Sequence, residues 1–206
     1  QGGGGPDPFV VDSDGDTADA DPGDGVCADA DGACTLRAAI DEANATSGAD
    51  VIEVEVNDIT IAIEGAGEDD NATGDFDIKG DVTIVGLGKQ LEGTRIDAAA
   101  LDRIFDVHEG MVRIEGMHLT NGDVPAETDK GGAVQIVGGS LTLASVLISS
   151  SNAGLAGGGI ENSNASLVLD DTDLLQNTAG KYGGGLHVTG DGTTELTGGQ
   201  AQSRSA

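Results

Sequence analysis

Apolar and polar residues alternate in short runs through most of the chain. Leu141 and Leu143 are separated by one polar residue, and Val146 and Ile148 repeat the pattern a few positions later. A period of two predicts β-strands, because successive side chains of a strand point to opposite faces. The glycine, serine and asparagine residues between the runs are typical of tight turns. The sequence therefore predicts short strands joined by turns.

The strand pattern repeats at a fixed interval. Glycine-rich segments recur every 26 residues, at 131–134, 157–160 and 183–186. Further upstream, the segments 82–86 and 112–116 recur at a spacing of 30. A coil of three short strands needs about 22 to 30 residues, whereas a propeller blade needs about 40. The period predicts an all-β fold, a right-handed parallel β-helix in which each coil pairs with the next.

Apolar residues at matching positions of successive coils are expected to form the core. Each side chain would point inwards and stack on its counterpart one period away. The leucines of this predicted core ladder are Leu141, Leu143, Leu167 and Leu169.

The N-terminal part of the chain follows a different pattern. A short strand at 9–11 leads into a loop rich in Asp, Gly, Pro and Ala, and Thr35 can then cap a helix over 35–45. One face of that helix is apolar, with Leu36, Ala39, Ile40 and Ala43. Such a helix can cover the exposed end of a β-helix, which a solenoid must protect. The predicted organisation is a flexible tail at 1–8, a cap at 9–50 and β-helix coils at 51–206.

Two cysteines, Cys27 and Cys34, lie in this acidic segment. No second cysteine pair or nearby histidine completes a four-ligand zinc site, so a disulfide is favoured over free thiols. A disulfide indicates an oxidising compartment, and we expect the protein to be secreted or displayed on the cell surface.

The charge balance excludes one class of partner. The sequence has 37 acidic and 9 basic residues and a formal net charge of -28. Nucleic-acid phosphates would be repelled from such a surface, so nucleic-acid binding is not expected. No run of 18 or more apolar residues is present, so no membrane-spanning segment is predicted.

Three segments, 21–27, 34–40 and 42–44, together resemble the N-terminal signature of the CSLREA-domain proteins. The family motif Cys-Ser-Leu-Arg-Glu-Ala-Ile reads Cys-Thr-Leu-Arg-Ala-Ala-Ile at 34–40, with Thr in place of Ser and Ala in place of Glu. The resemblance covers roughly residues 9–60. It implies right-handed β-helix repeats on a secreted bacterial or archaeal surface protein, and it transfers no catalytic residues.

The acidic loop is also a candidate calcium site. Its carboxylates alternate with small residues, as in oxygen-ligand calcium loops, although the spacing departs from that of an EF-hand. A structural calcium ion and an unliganded acidic loop both remain open. The tentative calcium ligands are Asp12, Asp14, Asp16, Asp19 and Asp21.

Parallel β-helices also carry polysaccharide lyases and hydrolases, so a carbohydrate-active enzyme is the alternative. The basic residues of the coils do not recur beside acids, and the sequence has one Tyr and no Trp to stack on sugars. The acidic cluster Asp170, Asp171 and Asp173 is interpreted as a solvated turn. No catalytic residues are predicted. The three histidines lack the i, i+4 spacing of a metal pair and are interpreted as strand residues: His108, His118 and His187.

The sequence thus predicts a non-catalytic structural protein, a rigid rod for adhesion, matrix or filament assembly. The 26-residue pattern runs on past 183–186 and stops near 200–205 without a second capping helix. We therefore expect self-association, or binding of other surface proteins, through the C-terminal end. Glycans are a further candidate partner.

Overall fold

A computed structural model describes residues 7–90 and 92–203. The elements follow one another in this order: β1 (Phe9–Val11), α1 (Leu36–Ala45), β2 (Ala49–Val54), β3 (Asp58–Thr60), β4 (Phe76–Ile78), β5 (Asp81–Val85), β6 (Thr94–Asp97), β7 (Phe105–Val107), β8 (Met111–Thr120), β9 (Asp123–Val124), β10 (Val134–Ile136), β11 (Ser140–Ser149), β12 (Asn152–Ala153), β13 (Ile160–Ser163), β14 (Ser166–Asp170), β15 (Asp173–Ala179), β16 (Leu186–Thr189), β17 (Thr193–Thr197) and β18 (Ala201–Ser203).

The strands wind into a parallel β-helix of about five turns, as the repeat predicted. Face one of the coil stacks β1, β2, β5, β8, β11, β14 and β17. Face two is formed by β3, β6, the second halves of β8 and β11, β15 and β18. Face three stacks β4, β7, β10, β13 and β16. All of the recorded strand pairs are parallel, because each strand pairs with the same strand of the next coil.

The interior is a single apolar column. Leu141 pairs with Leu167 and Leu143 with Leu169, and each of these side chains is at most 2 % exposed. The predicted core ladder is therefore confirmed. The period lengthens towards the N-terminus, because Val112 pairs with Leu141 at a spacing of 29 and Val82 with Val112 at 30.

β8 and β11 each run from face one into face two as one continuous, bent strand. The bend falls at Gly116 in β8 and at Ser145 in β11, with φ of 65° and 50°. Glycine adopts this left-handed conformation at no steric cost, and a Cβ added to Gly116 would lie 3.0 Å from the backbone oxygen of Gly86 in the coil below.

The cap and the coils share one core. β1 pairs in parallel with β2, so the strand before the acidic loop is the outermost strand of face one. The helix begins after its N-cap Thr35, whose hydroxyl accepts a hydrogen bond from the Ala38 amide at 3.1 Å. All four predicted apolar positions of α1 belong to the same hydrophobic cluster as the first coils. The predicted boundary at residue 50 falls just inside β2, and residues 1–6 of the predicted tail lie outside the described residues.

The disulfide predicted between Cys27 and Cys34 is present, with a Cα–Cα distance of 5.2 Å. It closes the acidic loop immediately before the helix. α1, the helix of the described residues, has ten residues and is too short to cross a membrane.

Arg37 links the cap to the first coil. Its side chain is fully buried, its Nε lies 2.7 Å from Asp16 Oδ1, and its guanidinium stacks 4.8 Å from the ring centre of Phe76. Its remaining nitrogens donate to the backbone carbonyls of Asn71, Gly74 and Asp75 at 2.7 to 3.0 Å. These carbonyls precede β4 and would otherwise be buried without a partner, so Arg37 satisfies the backbone at the start of face three.

Asn44 completes the edge of that face. β4 is the outermost strand of face three, and it pairs with β7 on its other side. The side-chain amide of Asn44 donates to the Asp77 carbonyl at 2.7 Å and accepts from the Lys79 amide at 2.8 Å. One side chain thus makes the two hydrogen bonds that a neighbouring strand would make, which protects the exposed edge of the sheet.

Candidate functional site

A cluster of buried acidic side chains lies on the outer side of face three, where β4 pairs with β7. In these strands the apolar residues point inwards, and Asp77 and Asp106, which pair with each other, point outwards. Both are nevertheless buried, at 0 % and 3 % exposed. Asp75, directly before β4, and Asp102, shortly before β7, are also buried, at 1 % and 2 % exposed.

The loop between β3 and β4 covers the cluster. Asn71 in this loop donates its backbone amide to Asp77 Oδ2 at 2.9 Å and accepts from the Asp77 amide at 3.2 Å. Its side-chain nitrogen donates to the Arg37 carbonyl and to Asp41 Oδ1. Asn71, which contacts Arg37 and Asp41 of the cap, therefore also covers Asp77.

Arg103 and His108 contact the cluster. Arg103 Nη1 lies 2.9 Å from Asp106 Oδ2 and 3.3 Å from Asp75 Oδ2. His108 Nε2 lies 2.8 Å from Asp77 Oδ1 and faces the surface more openly, with 20 % of its side chain exposed. One guanidinium and one imidazole thus face four carboxyl groups.

Some atoms of the cluster have no hydrogen-bond partner. Among the described residues, the buried side-chain atoms in this state are Asp75 Oδ1, Asp102 Oδ2, Arg103 Nε and Asp106 Oδ1. Buried polar atoms in native proteins are nearly always paired, so this concentration in one place marks the cluster as unusual.

Burial makes these carboxyl groups hard to ionise. Burial, reinforced by the charge of Asp102, raises the pKa of Asp75 to about 8. Burial also raises the pKa of Asp106 to about 6, against the attraction of Arg103 and His108. The pKa values of Asp77 and Asp102 are raised mainly by the same loss of solvent. Displaced pKa values in one cluster are typical of functional sites, although ion-pair networks also produce them.

The donor atoms also converge in space. Asp75, Asp77 and Asp106 offer one ligand atom each within 4.8 Å of one another, and so do Asp69, Asp77 and His108. The two groups share Asp77, and Asp69 is exposed, so together they reach from the surface into the buried cluster.

The same outer line of face three continues to a second buried carboxylate, Glu161, which is 0 % exposed. It lies 2.7 Å from His187 Nδ1 and 3.3 Å from Lys130 Nζ, and the hydroxyls of Ser163 and Thr189 donate to it. Both carboxylate oxygens of Glu161 thus have side-chain partners. In Asp106, by contrast, one oxygen has none.

The tentative calcium ligands of the acidic loop are mostly engaged in hydrogen bonds. Asp16 accepts from Arg37 and from the amides of Ala62 and Ile63. Asp19 accepts from the amides of Asp21 and Ala28. Within the part of the chain that the structure describes, no group of three convergent metal donors includes a residue of this loop. Calcium binding by the loop stays a prediction.

Asp171 and Asp173, in the turn that the sequence singled out, both contact Lys89, at 3.0 Å and 3.1 Å. Lys89 belongs to the loop between β5 and β6, so it reaches across several coils. With a lysine between them, these two carboxylates form a surface ion pair, as expected of a solvated turn.

An open groove of about 530 Å³ runs along the outside of the coils at the end of face two. Its acids are held by amides: Asn121 Nδ2 donates to both oxygens of Asp97 at 3.0 Å, and Asn152 Nδ2 donates to Asp123 at 2.8 Å.

Sequence reasoning did not identify the buried cluster. The signal is the recurrence of Phe76-Asp77-Ile78 as Phe105-Asp106-Val107 at a spacing of 29, which places two aspartates at the same position of paired strands. The interpretation of His108 as a strand residue is wrong, because it lies directly after β7. Its contact with Asp77 comes from the neighbouring coil and not from a residue nearby in sequence.

Comparisons of the chain with protein-family profiles, curated proteins and solved structures found no match.

Proposed function

We propose that the chain is a non-catalytic structural protein of the extracellular space or the cell surface, a rigid β-helical element for adhesion, matrix or filament assembly. The observation that carries this proposal is the continuous stack of parallel strands, which keeps its pairing from β1 to β17 on face one. A single apolar column runs inside it. Such a stack is stiff along its axis because every coil is hydrogen-bonded to the next.

The location rests on the disulfide and on the sequence resemblance. A bond between Cys27 and Cys34 is compatible with an oxidising compartment. The motif that resembles the CSLREA signature contains Arg37 and Asn44, which close the first coil. A folding role for the motif agrees with a family whose shared feature is a β-helix.

Assembly through the C-terminal end is part of the proposal. Five turns with a rise of about 4.8 Å each give a stack of roughly 24 Å. β16, β17 and β18 each pair on one side alone within the described residues, and Val188 and Leu196 are 38 % and 62 % exposed. We call the edges of these three strands the C-terminal face. Free strand edges beside exposed apolar side chains favour stacking of a further coil.

A carbohydrate-active enzyme is the second candidate, and the open groove at Asp97 and Asp123 is the feature that favours it. A glycosidase needs two accessible carboxyl groups, one of them protonated. Asp75 and Asp106, whose pKa values are raised to about 8 and about 6, are buried and do not line that groove. Asp102, whose pKa is also raised, lines a neighbouring pocket together with Asp123, but it is only 2 % exposed. The geometry therefore favours the structural function.

A polysaccharide panel separates the two candidates. We expect the purified chain to release no reducing ends or unsaturated products from neutral and anionic polysaccharides at pH 5, 7 and 9, with or without Ca²⁺. These pH values bracket the pKa values of Asp106 and Asp75. Turnover of any polysaccharide that disappears in Asp123→Asn but persists in Asp14→Asn, a matched change outside the groove, would establish the enzyme instead.

A further inference from the structure

We propose that Asp75, Asp77 and Asp106 bind a divalent cation that prefers oxygen ligands, with Ca²⁺ as the first candidate. The donor atoms of these three side chains lie within 4.8 Å of one another, and all three side chains are at least 97 % buried. They come from two adjacent coils, so a bound cation would join the first coil to the second.

Unpaired oxygens supply the second observation. Asp106 Oδ1 is buried and has no hydrogen-bond partner among the described residues, and Asp75 Oδ1 has one only if Asp75 and Asp102 share a proton. A buried carboxylate oxygen without a partner is costly, because nothing replaces the water that it lost. Glu161 shows that the same outer line of face three can satisfy a buried carboxylate with side chains alone. The Asp75–Asp106 cluster is not completed in this way, and a cation would complete it.

The excess of acidic groups in the cluster also favours a bound cation. Asp75, Asp77, Asp102 and Asp106 face Arg103 and His108. Four ionised carboxylates against two positive groups leave two negative charges in excess, even with His108 protonated. Like charges in a poorly solvated place repel strongly, and one divalent cation would cancel that excess.

The donor set favours Ca²⁺ over other ions. Each of the three side chains offers one carboxylate oxygen to the group, and Ca²⁺ accepts oxygen ligands in irregular geometry. Mg²⁺ demands a near-ideal octahedron and keeps several waters, which a buried cluster supplies less readily. The exposed Asp69 and the half-exposed His108 share Asp77 with the buried group, so they mark the route from the surface.

Protons are the competing way to relieve the same repulsion, with Asp75 and Asp102 holding one between them. The acidic loop is the competing place for calcium. Measurements of cation binding to the wild-type chain and to two matched variants distinguish the proposed site from both alternatives.

The test is isothermal titration of CaCl₂, and separately MgCl₂, into the chelator-treated chain at fixed ionic strength. We expect one Ca²⁺ site per chain with a Kd on the order of 10⁻³ M or tighter, a higher melting temperature with Ca²⁺, and a weaker response to Mg²⁺. Asp106→Asn should weaken Ca²⁺ binding by at least tenfold. Asp14→Asn, in the acidic loop, should leave it unchanged.

Asp106→Asn preserves shape and removes a buried charge, so the variant is expected to fold, and its circular dichroism spectrum checks this. If it does not fold, the Asp14→Asn titration decides between the two places: binding retained in that variant supports the proposed site, and binding lost in it overturns the proposal. No Ca²⁺ or Mg²⁺ binding by the wild-type chain would overturn the proposal in favour of protons. Binding that survives Asp106→Asn and is lost in Asp14→Asn would overturn it in favour of the acidic loop.

Discussion

Arg37→Ala is expected to lower the free energy of unfolding by about 3 to 5 kcal/mol, as breaking a buried ion pair usually does. The substitution leaves the Asp16 carboxylate without its cation at Oδ1 and three backbone carbonyls before β4 without their donor. It also removes the contact with the Phe76 ring. Urea denaturation followed by circular dichroism measures the loss.

Arg113→Ala is the matched control. The guanidinium of Arg113 pairs with Glu115 at 2.7 Å, but both side chains are 41 % exposed. An exposed pair contributes about 0 to 1 kcal/mol, since water screens it. Equal losses in the two variants would show that Arg37 does not hold the cap on the coils.

Leu167→Ala is expected to lower the free energy of unfolding by about 2 to 5 kcal/mol, the usual range for a large core residue replaced by alanine. Leu167 is 1 % exposed and stacks on Leu141 of the coil below, so the change opens a cavity in the apolar column. The same denaturation experiment measures it.

Val168→Ala tests whether the effect depends on the direction of the side chain. Val168 is the next residue of β14 and lies on the outer, partly exposed side of the strand. Its loss should therefore be clearly smaller than that of Leu167→Ala. A Val168→Ala effect as large as the Leu167→Ala effect would contradict the assignment of Leu167 to the interior.

The coils could be predicted from the sequence because each coil repeats the same pattern of buried and exposed positions. A strand in a parallel stack repeats the same environment at each turn, so Leu141 and Leu167 carry the same residue type at the same position. The spacing of the glycines at the corners indicates how many residues one coil of the β-helix contains. Period-two alternation and a 26-residue interval are both visible without a structure.

The cap was predicted as an element, but the role of its polar residues was not. Helical periodicity identified the apolar face of α1. Arg37 and Asn44 appeared as ordinary polar positions, because charged and amide residues on a short helix usually face water. Their backbone partners lie more than 30 residues away, before, within and directly after β4, and a local pattern carries no information about them.

The buried acidic cluster was the least predictable part. It depends on the irregular loop between β3 and β4, which folds back over the outer side of face three and has no counterpart in the repeat. Asp77 and Asp106 look like solvent-facing strand residues from their alternation alone. Asp77 is covered by Asn71 of this loop, and Asp106 is in contact with Arg103, so neither arrangement can be seen in the strand pattern.

Sedimentation velocity of the complete chain at rising concentration tests the proposed structural function most directly. We expect the average mass to rise with concentration through stacking at the C-terminal face. Leu196→Lys, which places a charge on an exposed apolar position of that face, should keep the chain monomeric at the same concentrations. A wild-type chain that stays monomeric throughout, with the same sedimentation as Leu196→Lys, would contradict it.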